Sequence, residues 1–202
     1  MTLFLKGLAF GFVLAATVGP MWVLCLRRTL AFGATAGLAS GLGIAVADGL
    51  YGAIAAFGLT AISGILLGYS FWIGSVGAVF LIYLGVKALM AKPVEIIQET
   101  NNQSLAAAFF STLGLTLANP PTILAFAAIF AGLGLTSSKD YAAAALITLG
   151  VFLGSASWWV ILASAAGALR ERLGPGLMRS INIVSGITIL AFAGWQVAEL
   201  FL

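Results

Sequence analysis

The sequence has no histidine, one cysteine, six acidic residues and only 7% charged residues in all, and each shortage removes a class of function. Without imidazole, clustered carboxylates or a metal-ligand group, acid–base or metal-assisted catalysis has little to stand on. No enzyme activity, cofactor or bound metal is therefore expected. The lone Cys25 excludes an internal disulfide and any multi-cysteine metal site, and reads as a small packing residue. Nine basic residues give a net charge of +3, but scattered between apolar runs they form no patch or stripe for nucleic acid. Their placement reports membrane orientation instead.

What fills the chain is apolar: 62% hydrophobic residues and a mean hydropathy of +1.15. A soluble domain of this length would have no surface left to face water. Several apolar runs exceed about 18 residues, so the fold class is all-α, a polytopic membrane protein in contact with the lipid bilayer. The patterning predicts six transmembrane helices over 3–26, 34–62, 70–91, 105–134, 142–168 and 178–202. Lys6 followed by an apolar run and small residues Ala15 and Ala16 imitates a secretory signal. Because the second half opens on an equivalent segment, retention of this one is expected. The extended polar stretch runs from Lys92-Pro93 to Ser104, with Glu95, Glu99, Asn101 and Asn102. The expected organisation is one transmembrane domain, 1–202, made of a three-helix repeat (1–92), a polar linker (93–104) and a second three-helix repeat (105–202).

The halves correspond in detail. Gly43 lies five residues before Asp48 as Gly150 does before Ser155, and Gly77 and Gly85 are spaced like Gly186 and Gly194. A duplicated unit with an odd number of spans must enter the membrane from the opposite face, so the repeats are expected to be inverted. Each half opens on an apolar segment interrupted by proline, at Gly19-Pro20 and at Asn119-Pro120-Pro121. Proline within a helix removes a hydrogen bond and clashes with the preceding turn, at about 3 kcal/mol or more. It is well placed at the first position of a helix, so each break should begin a new half-helix, with Gly19 or Asn119 as its N-cap. Such starts offer free N–H groups and partial positive charge to a carboxylate. A single break of this kind is usually a packing kink; a matched pair points to a transport site.

Asp48 sits mid-segment in Ala-Val-Ala-Asp-Gly-Leu-Tyr. Placing it there costs about 2.5–3.5 kcal/mol on insertion scales, which makes function the default reading. Gly37, Gly41, Ala45, Asp48 and Gly52 recur at helical spacing, a small-residue stripe that turns the carboxylate towards neighbouring helices. A carboxylate able to gain and lose a proton there would couple transport to the proton gradient. The competing explanation is a structural ion pair with Arg27, Arg28 or Lys87.

These residues resemble the lysine exporter (LysE/RhtB-type) superfamily of amino-acid efflux proteins over essentially the whole chain. The resemblance is carried by Val-Gly-Pro-Met at 18–21, Cys-Leu-Arg-Arg-Thr-Leu at 25–30 and Gly-Leu-Ala-Ser-Gly-Leu-Gly-Ile-Ala-Val-Ala-Asp at 37–48. Tyr-Leu-Gly-Val-Lys at 83–87, Ala-Asn-Pro at 118–120 and Phe-Ala-Ala-Ile-Phe at 126–130 continue it. It implies a compact six-helix, multi-pass exporter of the bacterial inner membrane, with an amino acid or similar small metabolite as substrate. By the same resemblance the family's Gly-Pro, Asp and Asn-Pro positions fall on Gly19, Pro20, Asp48, Asn119 and Pro120, the residues read above as candidates for substrate binding, with proton antiport through Asp48. The superfamily also contains exporters of other solutes, including metal ions, and a channel or scaffold without concentrative transport is the remaining alternative. Self-association as a homodimer is left open.

Smaller signals complete the reading. Trp158-Trp159 reads as packing or lipid contact, with one ring turned to the bundle and a place on the pathway as its alternative, and Phe71-Trp72 as an interfacial anchor. Asn182 reads as an interhelical hydrogen bond, with membership of the site as the alternative. Arg27, Arg28, Lys87, Lys92, Arg170, Arg172 and Arg179 follow alternate segments and outnumber Lys6 and Lys139 on the other side. The positive-inside rule then places both termini outside.

Overall fold

The computed structural model describes residues 2–56, 68–90, 104–119, 122, 126, 141–170 and 175–199. Residues 93–103 of the expected polar linker and Pro120 lie outside the described residues, as do Lys92 and Arg172. Among the described residues the chain is all-helical: α1 (Thr2–Ala16), α2 (Pro20–Phe32), α3 (Ala34–Ala56), α4 (Ser70–Leu89), α5 (Leu105–Leu117), α6 (Tyr141–Arg170) and α7 (Pro175–Glu199). Ala34–Ala56, Tyr141–Arg170 and Arg179–Ala198 are long and apolar enough to cross a membrane. The bent pair α1 and α2 counts as a fourth span if taken together, while Gly74–Leu89 and Leu105–Leu117 are shorter apolar helices.

The first expected segment is indeed broken, and more sharply than a kink. Thr2–Ala16 and Pro20–Phe32 meet at 73°. Proline has no N–H to continue the ladder of α1, so the helix restarts at Pro20, with Gly19 as N-cap and the first new bond running from the Val23 N–H to the Gly19 carbonyl at 3.1 Å. The new helix continues to Phe32, beyond the expected end of the segment. There Gly33 adopts φ 94°, left-handed backbone that favours glycine, and α3 begins at once. Arg170 at the end of α6 donates from Nη2 to the Ala31 carbonyl at 3.3 Å, satisfying a group that the end of α2 leaves open.

Backbone-close glycine seams set the packing. Along α1 and α6, a Cβ on Gly7 or Gly11 would run into the backbone of Ile147 or Val151, and one on Gly150 or Gly154 into the backbone of Phe4 or Leu8. The stripe on α3 behaves as expected: Gly37 faces Thr29 and Ala163, Gly41 faces Trp159, Gly52 faces Val151, and Ala45 is fully buried. Gly43, on another face of α3, abuts Phe109 and Thr112 of α5. Gly85 and Gly186 seat α4 against α7. Phe71 and Trp72 are exposed at the start of α4, where an interfacial anchor belongs.

One expectation needs correcting. Arg27 and Arg28 are not loop charges; both are buried on α2, at 8% and 5% exposure. The chain does not leave the bundle after the first apolar run, so these two cannot count as cytoplasmic loop residues. Lys87 and Arg170, in the last turns of α4 and α6, are the kind of helix-end charge the rule requires.

Candidate functional site

A cavity of about 330 Å³ lies where the first break, the middle of α3 and the end of α5 meet. Gly19, Pro20, Asp48 and Asn119 all line it. Gly19 and Asn119, one hundred positions apart in sequence, thus share one chamber.

The first break exposes backbone. Gly19 is extended (φ −152°, ψ −174°), and a Cβ there would meet nothing within 4 Å. Since Pro20 carries no N–H and Val23 bonds back to Gly19, the N–H groups of Met21 and Trp22 have no acceptor within α2. Both residues line the cavity. Trp22 Nε1 is itself buried without a hydrogen-bond partner among the described residues.

The second break differs in detail. The Asn119 carbonyl accepts from the Thr122 N–H at 3.0 Å, and its side-chain Nδ2 donates to Thr122 Oγ1 at 2.9 Å. Pro120 and Pro121 cannot donate at all, which leaves Thr122 as the first available N–H after the break. Thr116 and Thr122 add hydroxyls to the same wall.

Asp48, at 3% exposure, accepts a hydrogen bond from Ser155 Oγ at 2.7 Å, and Ser155 in turn accepts from Trp159 Nε1 at 3.2 Å. Ser155 is the residue that the expected internal repeat pairs with Asp48. The ion-pair explanation finds no support in these contacts. Arg27 donates to Asn182 and Arg28 to Ser40, Ala108 and Ser111, while Lys87 lies over the Tyr83 ring on α4. Ser155→Ala should leave the buried carboxylate without that donor. We expect about 1–3 kcal/mol of lost stability, read as a lower unfolding temperature of the purified protein.

Further residues complete the wall. Trp159, the ring turned to the bundle, is buried at 2% exposure and also lines the cavity, whereas its neighbour Trp158 packs edge-on against Phe12 at 5.4 Å. Gln196 closes the wall from α7 and donates from Nε2 to the Gly74 carbonyl at 2.8 Å. A polar residue in the last apolar segment was the signal for it, the same kind that marked Asn182. Thr17, Phe192 and Trp195 carried no comparable mark.

The sequence profile of the LysE type translocator family matches residues 12–198. The chain belongs to this family. Among curated relatives of this LysE type translocator is a Bacillus subtilis (strain 168) protein provisionally named amino acid efflux protein YcgF. It is 26% identical over 197 residues, covering 95% of this chain and 93% of the relative. No solved structure matches the translocator. Family membership and the apolar helices together make it a multi-pass membrane protein.

Proposed function

We propose that the chain is a secondary active exporter of amino acids or similar small metabolites, working by alternating access in the bacterial inner membrane and exchanging substrate for protons through Asp48. The observation that carries this reading is that Gly19, Pro20, Asp48 and Asn119 line the same cavity. Its volume of about 330 Å³ falls at the lower end of the range for small-molecule sites. A zwitterion fits its chemistry: the carboxylate meets the Met21 and Trp22 N–H groups, and the ammonium or an exchanged proton meets Asp48. Pro120 is proposed as part of the same site by the correspondence of the two breaks. The name of the Bacillus relative agrees with amino-acid efflux.

Six spans in two inverted repeats are part of this reading. α1 on α6 and α5 on α3 are corresponding pairs, each joining the first helix of one half to the second helix of the other, and α4 on α7 pairs the third helices. Asp48 opposite Ser155 obeys the same correspondence. A site between such halves can open to either side as they rock.

Uptake of labelled amino acids into inverted vesicles, with and without an acid-inside pH gradient, tests the function. Gradient-dependent accumulation of at least one amino acid is the expected result; no uptake of any would return the chain to the scaffold or other-solute class. Asn119→Ala should change which amino acid is preferred. If the break is only structural, that variant loses stability with selectivity unaltered.

A further inference from the structure

We propose that Arg27 is a second solute station, a carboxylate-binding site on the α2 face that leads inward from the cavity. Arg27 is nine-tenths buried, and among the described residues its hydrogen bond is from Nε to Asn182 Oδ1 at 3.1 Å. Its two terminal nitrogens make no hydrogen bond among the described residues.

The neighbouring arginine is placed differently. Arg28 is fixed by Nη1 to Ser40 Oγ at 3.2 Å and to the Ala108 carbonyl at 3.0 Å, and by Nη2 to Ser111 Oγ at 2.8 Å. All these partners are neutral. Two adjacent guanidinium groups are thus held within the bundle with no carboxylate partner among the described residues; Asp48, the acid of α3, bonds to Ser155. Buried charge without an opposite charge is expensive, and a guanidinium fork matches a carboxylate in two parallel hydrogen bonds. Arg28 holds the helix in place and adds field, and Arg27 keeps the free donors.

Position gives the station a purpose. Arg27 follows Pro20 by seven residues, two helical turns along the same face and about 10 Å from the cavity wall. A carboxylate held at Arg27 can pass along that face to the Met21 and Trp22 N–H groups. The role as a station rests on the export reading; the binding of a carboxylate does not.

The test is a thermal-stability titration of the purified full-length protein in low-salt zwitterionic buffer, with acetate, glycine, glycinamide and inorganic phosphate as probes. Acetate and glycine should stabilise it, and glycinamide, which has no carboxylate, should not. Arg27→Gln should weaken the acetate effect roughly tenfold or more, while Arg27→Lys keeps the charge and part of the binding. Lys87→Gln removes an exposed charge and should leave acetate binding intact. The proposal is overturned if acetate and glycine do not stabilise the wild type, or if Arg27→Gln stabilises as the wild type does. Phosphate binding far more tightly than acetate would also overturn it, pointing to a phosphate-bearing ligand such as a lipid headgroup. Failure of vesicle uptake with acetate binding intact would sink the export reading and leave the site standing.

Discussion

Asp48→Asn is expected to reach the membrane in normal amount and to lose gradient-driven accumulation. One proton exchanged across one pH unit is worth roughly tenfold in accumulation, and that factor should vanish while energy-independent exchange persists. The substitution is isosteric, and the amide oxygen can still accept from Ser155, so the cavity wall keeps its shape. Asn is also cheaper than Asp to insert in a membrane helix. The physical basis is position: the carboxylate lines the cavity, is bonded to a hydroxyl and has no cation beside it among the described residues. Unchanged pH dependence in a well-inserted Asp48→Asn protein would remove the coupling role.

Gly154→Leu is expected to abolish folding, with no monodisperse protein recovered in detergent. A Cβ there strikes the backbone of Leu8, and the reciprocal Gly11 abuts the backbone of Val151, so no rotamer change relieves the clash. Ordinary overpacking costs about 1–3 kcal/mol by displacing side chains; separating two backbones along a whole seam should exceed that. Gly194→Leu is the control, because a Cβ at Gly194 meets nothing within 4 Å. Equal recovery of both variants would mean that α1 and α6 are not held as close as described.

Much of the site was legible because its parts violate the composition around them. Proline in an apolar run and aspartate in a membrane helix carry large local penalties, and such residues announce themselves singly. The stripe on α3 was legible because small residues at helical spacing have little reason to recur except close packing. The same logic could have found Gly7 and Gly11 with Gly150 and Gly154, four apart in each helix, which form the α1–α6 seam. Arg27 and Arg28 were misread for a physical reason. Basic residues after an apolar run ordinarily mark a loop, and only the 73° turn at the first break keeps α2 inside the bundle. That angle is a tertiary quantity, set by what α2 packs against. Trp159 and Gln196 were ambiguous in the same way, since nothing local says which side of a uniformly apolar helix faces a cavity.

The central claim is that substrate occupies the chamber between the two breaks, and protection of a cysteine placed there tests it most directly. Thr17 lines the cavity at the first break and is exposed, so Thr17→Cys in a Cys25→Ala background puts the only thiol at that wall. An amino acid that accumulates in inverted vesicles should slow maleimide labelling of this thiol severalfold, and should leave unaffected a Ser180→Cys control at the exposed start of α7. Equal labelling rates at Thr17→Cys with and without saturating substrate would contradict the account.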